Sequence, residues 1–185
     1  MGKLIFVTGG ARSGKSSFAE DTAKQNGEKV VYIATAIAFD EEMKQRIQLH
    51  RQQRPESWHT IETYQNIAEA LRDYNEAFDC VLLDCVTIMV NNIMMDEITD
   101  WEQITEAEGM KVEMIAKREI TSLIEYCKES DKTFIIVTNE TGSGIVPYYP
   151  SSRLFRDVAG RVNQMLARAS DEAYLLVSSL PVRLK

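Results

Sequence analysis

The chain has 185 residues, of which 44% are hydrophobic and 26% are charged, a balance typical of one soluble globular domain. Three cysteines without C-x-x-C spacing argue against a disulfide framework or a zinc site, and a net charge of −7 argues against nucleic acid as a general partner. The sequence has no apolar run of about 18 residues and no secretory-signal pattern, so we expect a single cytoplasmic domain over residues 1–185 without a membrane span.

Five short apolar runs predict the strands of a sheet. Each run is continuous rather than alternating, as in strands that are buried on both faces. The runs cover residues 4–7, 30–33, 81–83, 134–137 and 174–177. Helical patterns separate them, which favours βαβ units: an α/β fold with a mostly parallel sheet and helices on both faces.

Five helices are predicted between and after these strands. The first covers residues 15–25, and Asn26 with Gly27 is expected to end it in a left-handed turn. The second begins near Asp40 and carries His50 at or just past its end. The others cover residues 66–78, 101–129 and 154–170.

A phosphate-binding loop follows the first predicted strand and opens the first helix. It comprises Gly9, Gly10, Ala11, Arg12, Ser13, Gly14, Lys15 and Ser16. In this strand–loop–helix setting, backbone N–H groups and the helix dipole hold phosphates, Lys15 reaches the β- and γ-phosphates, and the Ser16 hydroxyl ligates Mg²⁺. The alternative is a glycine-rich turn that binds nothing.

Asp84 ends the third predicted strand. Enzymes with this loop place a carboxylate near the metal at the end of a neighbouring strand, so Asp84 is a candidate for the metal or for the hydroxyl of a substrate. The alternative is an aspartate that starts a turn.

His50 lies in an arginine-rich segment, residues 46–54. A neutral imidazole is a competent nucleophile toward an activated phosphorus, and nearby arginines would neutralise phosphate oxygens, so His50 is a candidate carrier of a nucleotidyl group. The spacing alone favours the alternative, a surface helix whose His and Arg side chains are solvated.

Several segments carry a family resemblance that spans nearly the whole chain. They are the phosphate-binding loop with Thr8; Tyr32, Ile33, Ala34, Thr35 and Ala36; Arg46, Ile47 and His50; Arg54, Pro55 and Trp58; Leu82, Leu83, Asp84 and Cys85; Thr138, Asn139 and Glu140; Gly144, Ile145, Val146 and Pro147; and Phe155, Arg156 and Asp157. As a set they closely resemble the bifunctional adenosylcobinamide kinase/adenosylcobinamide-phosphate guanylyltransferase family of cobalamin (vitamin B12) biosynthesis.

The resemblance implies a RecA-like P-loop NTPase fold, a homotrimer and two reactions. Such enzymes phosphorylate the aminopropanol hydroxyl of adenosylcobinamide with ATP or GTP, then transfer GMP from GTP onto that phosphate through a guanylylated histidine, which falls on His50. Beyond the phosphate-binding loop, the nucleotide contacts of the family fall on Thr35, Ala36, Ile37, Arg51, Gln52, Gln53, Arg54, Glu62 and Asp84.

Three questions stay open on the sequence alone. Glu62 would accept hydrogen bonds from a guanine base, but it also fits a solvated acid before the third helix. Residues 139–147 and 153–168 fit a corrinoid or subunit surface as well as a plain connector and a solvated helix face. The alternative functions are a P-loop kinase for another small molecule, with His50 incidental, and a GTP-dependent regulatory protein.

Overall fold

The computed structural model describes residues 1–37, 55 and 57–185. Within these ranges, seven strands form one sheet. They are β1 (Lys3–Gly9), β2 (Val30–Ala34), β3 (His59–Glu62), β4 (Cys80–Asp84), β5 (Thr133–Val137), β6 (Glu172–Val177) and β7 (Leu180–Arg183). The predicted second helix, with His50, lies outside the described residues.

The sheet order is β3-β2-β4-β5-β1-β6-β7. Every neighbouring pair is parallel except β6 and β7, which form an antiparallel hairpin. The five predicted strands are confirmed as β1, β2, β4, β5 and β6. The two strands that were not predicted are the two edges of the sheet, where side chains are more exposed and the apolar signal is weak.

The described residues form five helices: α1 (Lys15–Asn26), α2 (Ile67–Asp73), α3 (Val86–Glu97), α4 (Glu106–Glu129) and α5 (Pro150–Ala169). The first is close to its predicted range, but the predicted left-handed stop is wrong, because Gly27 has a φ of 170° and is extended. The prediction for α2 was too long, since Tyr74 already has an extended backbone. No helix in the described ranges has the length and hydrophobicity needed to cross a membrane.

Helix α3 was not predicted. The more exposed face of α3 carries the apolar Ile88 and Met95 beside Asn91, so polar residues do not mark a helical period. The buried residues occupy the rest of the helix surface and include polar side chains. They are Val86, Thr87, Met89, Val90, Asn92, Ile93 and Met94. A helix whose exposed face is largely apolar shows little amphipathic periodicity, which explains the omission.

The longest helix, α4, begins at Glu106 rather than near residue 101 as predicted. A capping box fixes this start: the Thr105 hydroxyl accepts the Glu108 N–H, and the Glu108 carboxylate accepts the Thr105 N–H. These bonds, from Thr105 first and then Thr99, lower the pKa of Glu108 to about 2. Helix α5 begins four residues before its predicted start, with Pro150 in its first turn.

Two apolar layers cover the faces of the sheet. Leu4 and Phe6 pack with α2, α3, α4 and α5, whereas Ile5 and Val7 pack with α1. Alternate residues of one strand thus enter opposite layers, which confirms that the sheet is covered on both faces. The carboxyl ends of the parallel strands therefore meet at one edge, where ligands bind in open α/β sheets.

Candidate functional site

The phosphate-binding loop joins the carboxyl end of β1 to the start of α1. Gly14 lies just before the helix with a φ of 91°, a left-handed conformation. A Cβ on Gly14 would also lie 2.7 Å from Ser179 Oγ and 2.9 Å from Ser179 Cα. Glycine is therefore required here both for its backbone conformation and for the close approach of the β6–β7 turn.

Two neighbouring segments hold this loop through its carbonyl oxygens. The Glu140 N–H donates to Gly9 O at 3.0 Å, and the Ser179 N–H donates to Ser13 O at 2.8 Å. One contact comes from the end of β5 and the other from the β6–β7 turn. The loop is thus fixed from both sides of β1.

Lys15 is buried against the loop, with 7% of its surface exposed. Its ammonium donates to Gly10 O at 2.6 Å and to Ser13 Oγ at 3.4 Å. Burial lowers the pKa of Lys15, while the nearby Cys85 and Asp84 oppose that shift. The cation and Asp84 therefore lie close enough to interact electrostatically.

Asp84 ends β4 and is half-buried. Its Oδ2 accepts a 2.8 Å hydrogen bond from the Tyr32 hydroxyl. Tyr32 in turn stacks on Trp58, with 6.5 Å between the ring centroids. Sequence reasoning did not assign a role to Tyr32, because a tyrosine within an apolar strand is typical of a core residue.

Thr35 is fully buried and joins the end of β2 to the junction of β4 and α3. Its hydroxyl donates to Cys85 O at 2.9 Å and accepts the Cys85 N–H at 2.9 Å. Its carbonyl accepts from Asn92 Nδ2 at 2.7 Å. The side chain of Thr35 is therefore engaged within the protein, and it positions the segment that follows Asp84.

Two cavities flank the loop. The larger one, of about 450 Å³, is named the Asn139 cavity and is lined by Ala11, Ala36, Ile37, Thr87, Asn139 and Glu140 among others. The smaller one, of about 340 Å³, is named the Arg12 cavity and is lined by Gly10, Arg12, Ser13, Glu140 and Ser178 among others. Ala36 and Ile37, two predicted nucleotide contacts, therefore face the same space as Ala11 of the loop.

Glu62 lies apart from the loop. It ends β3, is exposed, and pairs in register with Ala34 of β2, which itself pairs with Asp84. Between β3 and β1 lie four strand spacings, about 19 Å at about 4.8 Å each. The structure thus brings Lys15 and Asp84 together and leaves Glu62 at the other side of the sheet.

The remaining predicted residues divide into two groups. Ser16 lies in the first turn of α1, directly after Lys15, and is half-buried. The other group, His50, Arg51, Gln52, Gln53 and Arg54, lies outside the described residues. Within the described ranges, no three His, Cys, Asp or Glu side chains cluster in a way that could hold a metal ion. A hydroxyl such as that of Ser16 and a carboxylate such as that of Asp84 do suit Mg²⁺, which uses few protein oxygens and keeps several waters.

Solved structures share the fold of this chain at low sequence identity. An ATPase from a type III secretion system matches 95% of this chain with a TM-score of 0.55 and 12% identity, and this chain spans about half (51%) of that protein. The RadB recombinase matches 94% of this chain, and 73% of its own, with a TM-score of 0.50 and 18% identity. At such identities the likeness concerns the fold alone, and it confirms the RecA-like P-loop class.

Curated relatives are far more similar in sequence. The bifunctional adenosylcobalamin biosynthesis protein CobU of Escherichia coli is 44% identical over 98% of this chain and 99% of its own. The protein of the same name from Salmonella typhimurium is 42% identical over 98% and 99%, and CobP of Pseudomonas aeruginosa is 40% identical over 97% and 95%. The model of the cobinamide kinase / cobinamide phosphate guanyltransferase family matches residues 5–184. The chain belongs to the cobinamide kinase / cobinamide phosphate guanyltransferase family.

Proposed function

We propose that this chain phosphorylates the aminopropanol hydroxyl of adenosylcobinamide and then transfers GMP from GTP onto that phosphate, giving adenosylcobinamide-GDP. The kinase and guanylyltransferase activities follow from the family to which the chain belongs. The observation that carries the assignment within the molecule is the phosphate-binding loop, with Lys15 buried against it at the carboxyl edge of the sheet, the edge at which Asp84 ends β4.

In the kinase reaction, the loop and the N-terminus of α1 hold the triphosphate of ATP or GTP. Lys15 exchanges its contact with Gly10 O for the β- and γ-phosphates. Its ammonium then pairs with the nucleotide instead of a backbone carbonyl. Ser16 and Asp84 would hold Mg²⁺, which when bound neutralises phosphate charge. Tyr32 keeps the Asp84 carboxylate in one orientation.

In the second reaction, His50 attacks the α-phosphorus of GTP. A P–N bond forms, the bond to the bridging oxygen breaks, and pyrophosphate leaves with the electron pair. A phosphate oxygen of adenosylcobinamide phosphate then displaces His50 and takes the GMP group. Arg51 and Arg54 would neutralise phosphate charge, and Gln52 and Gln53 would add polar contacts in the same segment.

Ala36, Ile37 and Glu62 complete the proposed nucleotide contacts, and the buried Thr35 supports them by positioning the segment that follows Asp84. A carboxylate at Glu62 suits the N1–H and exocyclic amine of guanine. Glu62 lies about four strand spacings from β1, about 19 Å across the sheet. The two reactions use different phosphorus atoms, so the nucleotide or the His50 segment must reposition between them.

We further propose that residues 1–185 act as one nucleotide-binding and catalytic domain in the cytoplasm, assembled as a homotrimer. The single sheet that runs through the described residues supports the first point. The homotrimer rests on the family resemblance and the cytoplasmic location on the composition of the sequence, and the acidic net charge of −7 agrees with small-molecule rather than nucleic-acid partners.

The test is to incubate the purified protein with adenosylcobinamide, GTP and Mg²⁺ and to follow products by mass spectrometry. We expect adenosylcobinamide phosphate to appear first and adenosylcobinamide-GDP second. Lys15→Ala abolishes the first product, whereas the matched control Lys24→Ala, which removes an exposed lysine from the same helix, retains it. Normal phosphorylation by Lys15→Ala, or a wild-type protein that never makes the GDP product, would contradict the proposal.

A further inference from the structure

The Asn139 cavity lies beside the phosphate-binding loop. Ala11 of the loop forms one wall, the first turns of α3 another, and the segment after β5 a third. Its volume of about 450 Å³ falls within the range of about 300–1,000 Å³ for small-molecule sites. A corrin macrocycle with its side chains is too large for this space, but a single side arm fits.

The walls of the cavity suit a neutral, amide-bearing group. Of the described residues that line it, none is Lys or Arg, and the polar ones include Asn91, Asn92, Asn139 and Thr87. Two hydrogen bonds fix Asn139. Its side-chain Nδ2 donates to Thr87 Oγ1 at 2.8 Å, and its backbone carbonyl accepts from Asn163 Nδ2 at 3.1 Å. No Lys or Arg among the described residues of this wall offers a charge to a second phosphate group.

Asn92 leaves an acceptor without a partner at this wall. The residue is 1% exposed, its Nδ2 is bonded to Thr35 O, and its Oδ1 has no hydrogen-bond partner among the described residues. A buried acceptor without a partner is costly, and native proteins keep few of them. Because this oxygen is shielded, Asn92 supports the cavity wall through its bond to Thr35 O rather than through contact with a ligand.

Glu140 is the one acidic residue among the described residues that line the cavity, and it also lines the Arg12 cavity on the other side of the loop. It is held in place from two directions: its N–H donates to Gly9 O at 3.0 Å, and its Oε1 accepts the Gly142 N–H at 2.8 Å. Oε2 makes no hydrogen bond within the described part of the chain. Asp84, by contrast, has its Oδ2 engaged by Tyr32 and does not line this cavity.

We propose that the Asn139 cavity takes the aminopropanol arm of the acceptor, a secondary amide bearing an alcohol, and that Glu140 is the base that accepts the proton of this alcohol. The inference rests on the proposed kinase reaction and assigns its acceptor subsite. The alcohol O–H bond breaks and its proton passes to the Glu140 carboxylate while the oxygen bonds to the γ-phosphorus. The bond from the γ-phosphorus to its bridging oxygen breaks, and the nucleoside diphosphate leaves with that electron pair.

The test uses Glu140→Gln, which keeps an amide oxygen to accept the Gly142 N–H but cannot take a proton. Because a general base contributes about 10²- to 10⁴-fold, we expect kcat for phosphorylation of adenosylcobinamide to fall at least about 100-fold, with KM for adenosylcobinamide changed by less than about threefold. The phosphate acceptor of the second reaction has no alcohol proton to lose. GMP transfer onto supplied adenosylcobinamide phosphate therefore stays within about twofold of wild type.

The matched control is Glu125→Gln on the exposed face of α4, which leaves both reactions unchanged. A second variant, Asn139→Ala, raises KM for adenosylcobinamide by about tenfold and leaves KM for the nucleotide unchanged, as loss of one well-placed hydrogen-bonding group predicts. A Glu140→Gln enzyme whose phosphorylation kcat stays within about threefold of wild type, or which loses both reactions equally, overturns the assignment. Failure of the wild type to make either product instead refutes the proposed function, so the two failures are distinguishable.

Discussion

The hydroxyl of Tyr32 donates a 2.8 Å hydrogen bond to Oδ2 of Asp84, and so joins the middle of β2 to the carboxyl end of β4. The Asp84 carboxylate is the acidic group that lies close to Lys15. A hydrogen bond to a charged group contributes about 1.5–3 kcal/mol, so its loss frees the carboxylate to rotate away from the site.

Tyr32→Phe therefore lowers kcat of the kinase reaction by about tenfold while the ring keeps its packing against Trp58. Steady-state kinetics at saturating adenosylcobinamide measures the change. Tyr64→Phe is the control, since it removes a comparable hydroxyl–carboxylate bond, to Asp96, on the exposed surface. Equal kinetics for Tyr32→Phe and Tyr64→Phe would show that Tyr32 does not act through Asp84.

Thr35→Val leaves the buried Cys85 N–H without its acceptor. An unsatisfied buried donor costs about 1–3 kcal/mol, so the midpoint of thermal unfolding falls by several degrees in a chain of this size. Thr35→Ser, which keeps the hydroxyl, unfolds close to wild type in the same calorimetric scan. A Thr35→Val protein as stable as Thr35→Ser would refute the role of this hydroxyl.

Gly14→Ala and Gly10→Ala form a matched pair within the loop. Alanine at position 14 must adopt a φ of 91° and meets the backbone of Ser179, whereas a Cβ at position 10 meets no described atom within 4 Å. Gly14→Ala therefore lowers the free energy of unfolding of the nucleotide-free protein by about 1–2 kcal/mol or more, and Gly10→Ala changes it little. Denaturant titration measures the free energy of unfolding of both variants. Equal losses in Gly14→Ala and Gly10→Ala would contradict the steric explanation.

The buried ammonium of Lys15 makes stability depend on pH. Burial holds its folded-state pKa below 10.5, so at neutral pH the folded protein bears the desolvation cost of the charge. That cost is relieved as pH rises from the folded pKa toward 10.5, because the folded state loses its proton first. The wild type therefore gains stability relative to Lys15→Met as pH rises in this window.

Denaturant unfolding of wild type and Lys15→Met at pH 7 and at pH 10 measures this change. The control is Lys24→Met, which replaces an exposed lysine. The stability difference between wild type and Lys24→Met does not rise with pH in this window. A wild-type minus Lys15→Met difference that stays constant or falls as pH rises would contradict the effect of burial.

The sequence was sufficient to predict the core of the sheet and the loop. Strands such as β4 and β5 are buried on both faces, so their composition alone identifies them. The glycines and Lys15 occur at fixed spacing because phosphate binding demands it, and the structure has Gly14 in the left-handed conformation that this spacing implies.

Other features required the structure, for different physical reasons. Helix α3 could not be recognised because its more exposed face, with Ile88 and Met95, is largely apolar, and the edge strand β3 because its side chains are partly or fully exposed. The start of α4, by contrast, could have been predicted from the sequence, because Thr105 followed three residues later by Glu108 is the pattern of a capping box. The partnership of Tyr32 with Asp84, between residues 52 positions apart, depends on strand order, which residue patterns do not give.

The proposed site has two parts, a phosphate-binding loop and a histidine, His50, that carries a nucleotidyl group. Incubation of the purified protein with α-labelled GTP and Mg²⁺, followed by acid and base treatment of the denatured protein, tests this division directly. We expect a covalent label on the wild-type protein that is acid-labile and base-stable, as a phosphoramidate is, and no label on His50→Ala. Absence of any label on the wild type, or an undiminished label on His50→Ala, would contradict it.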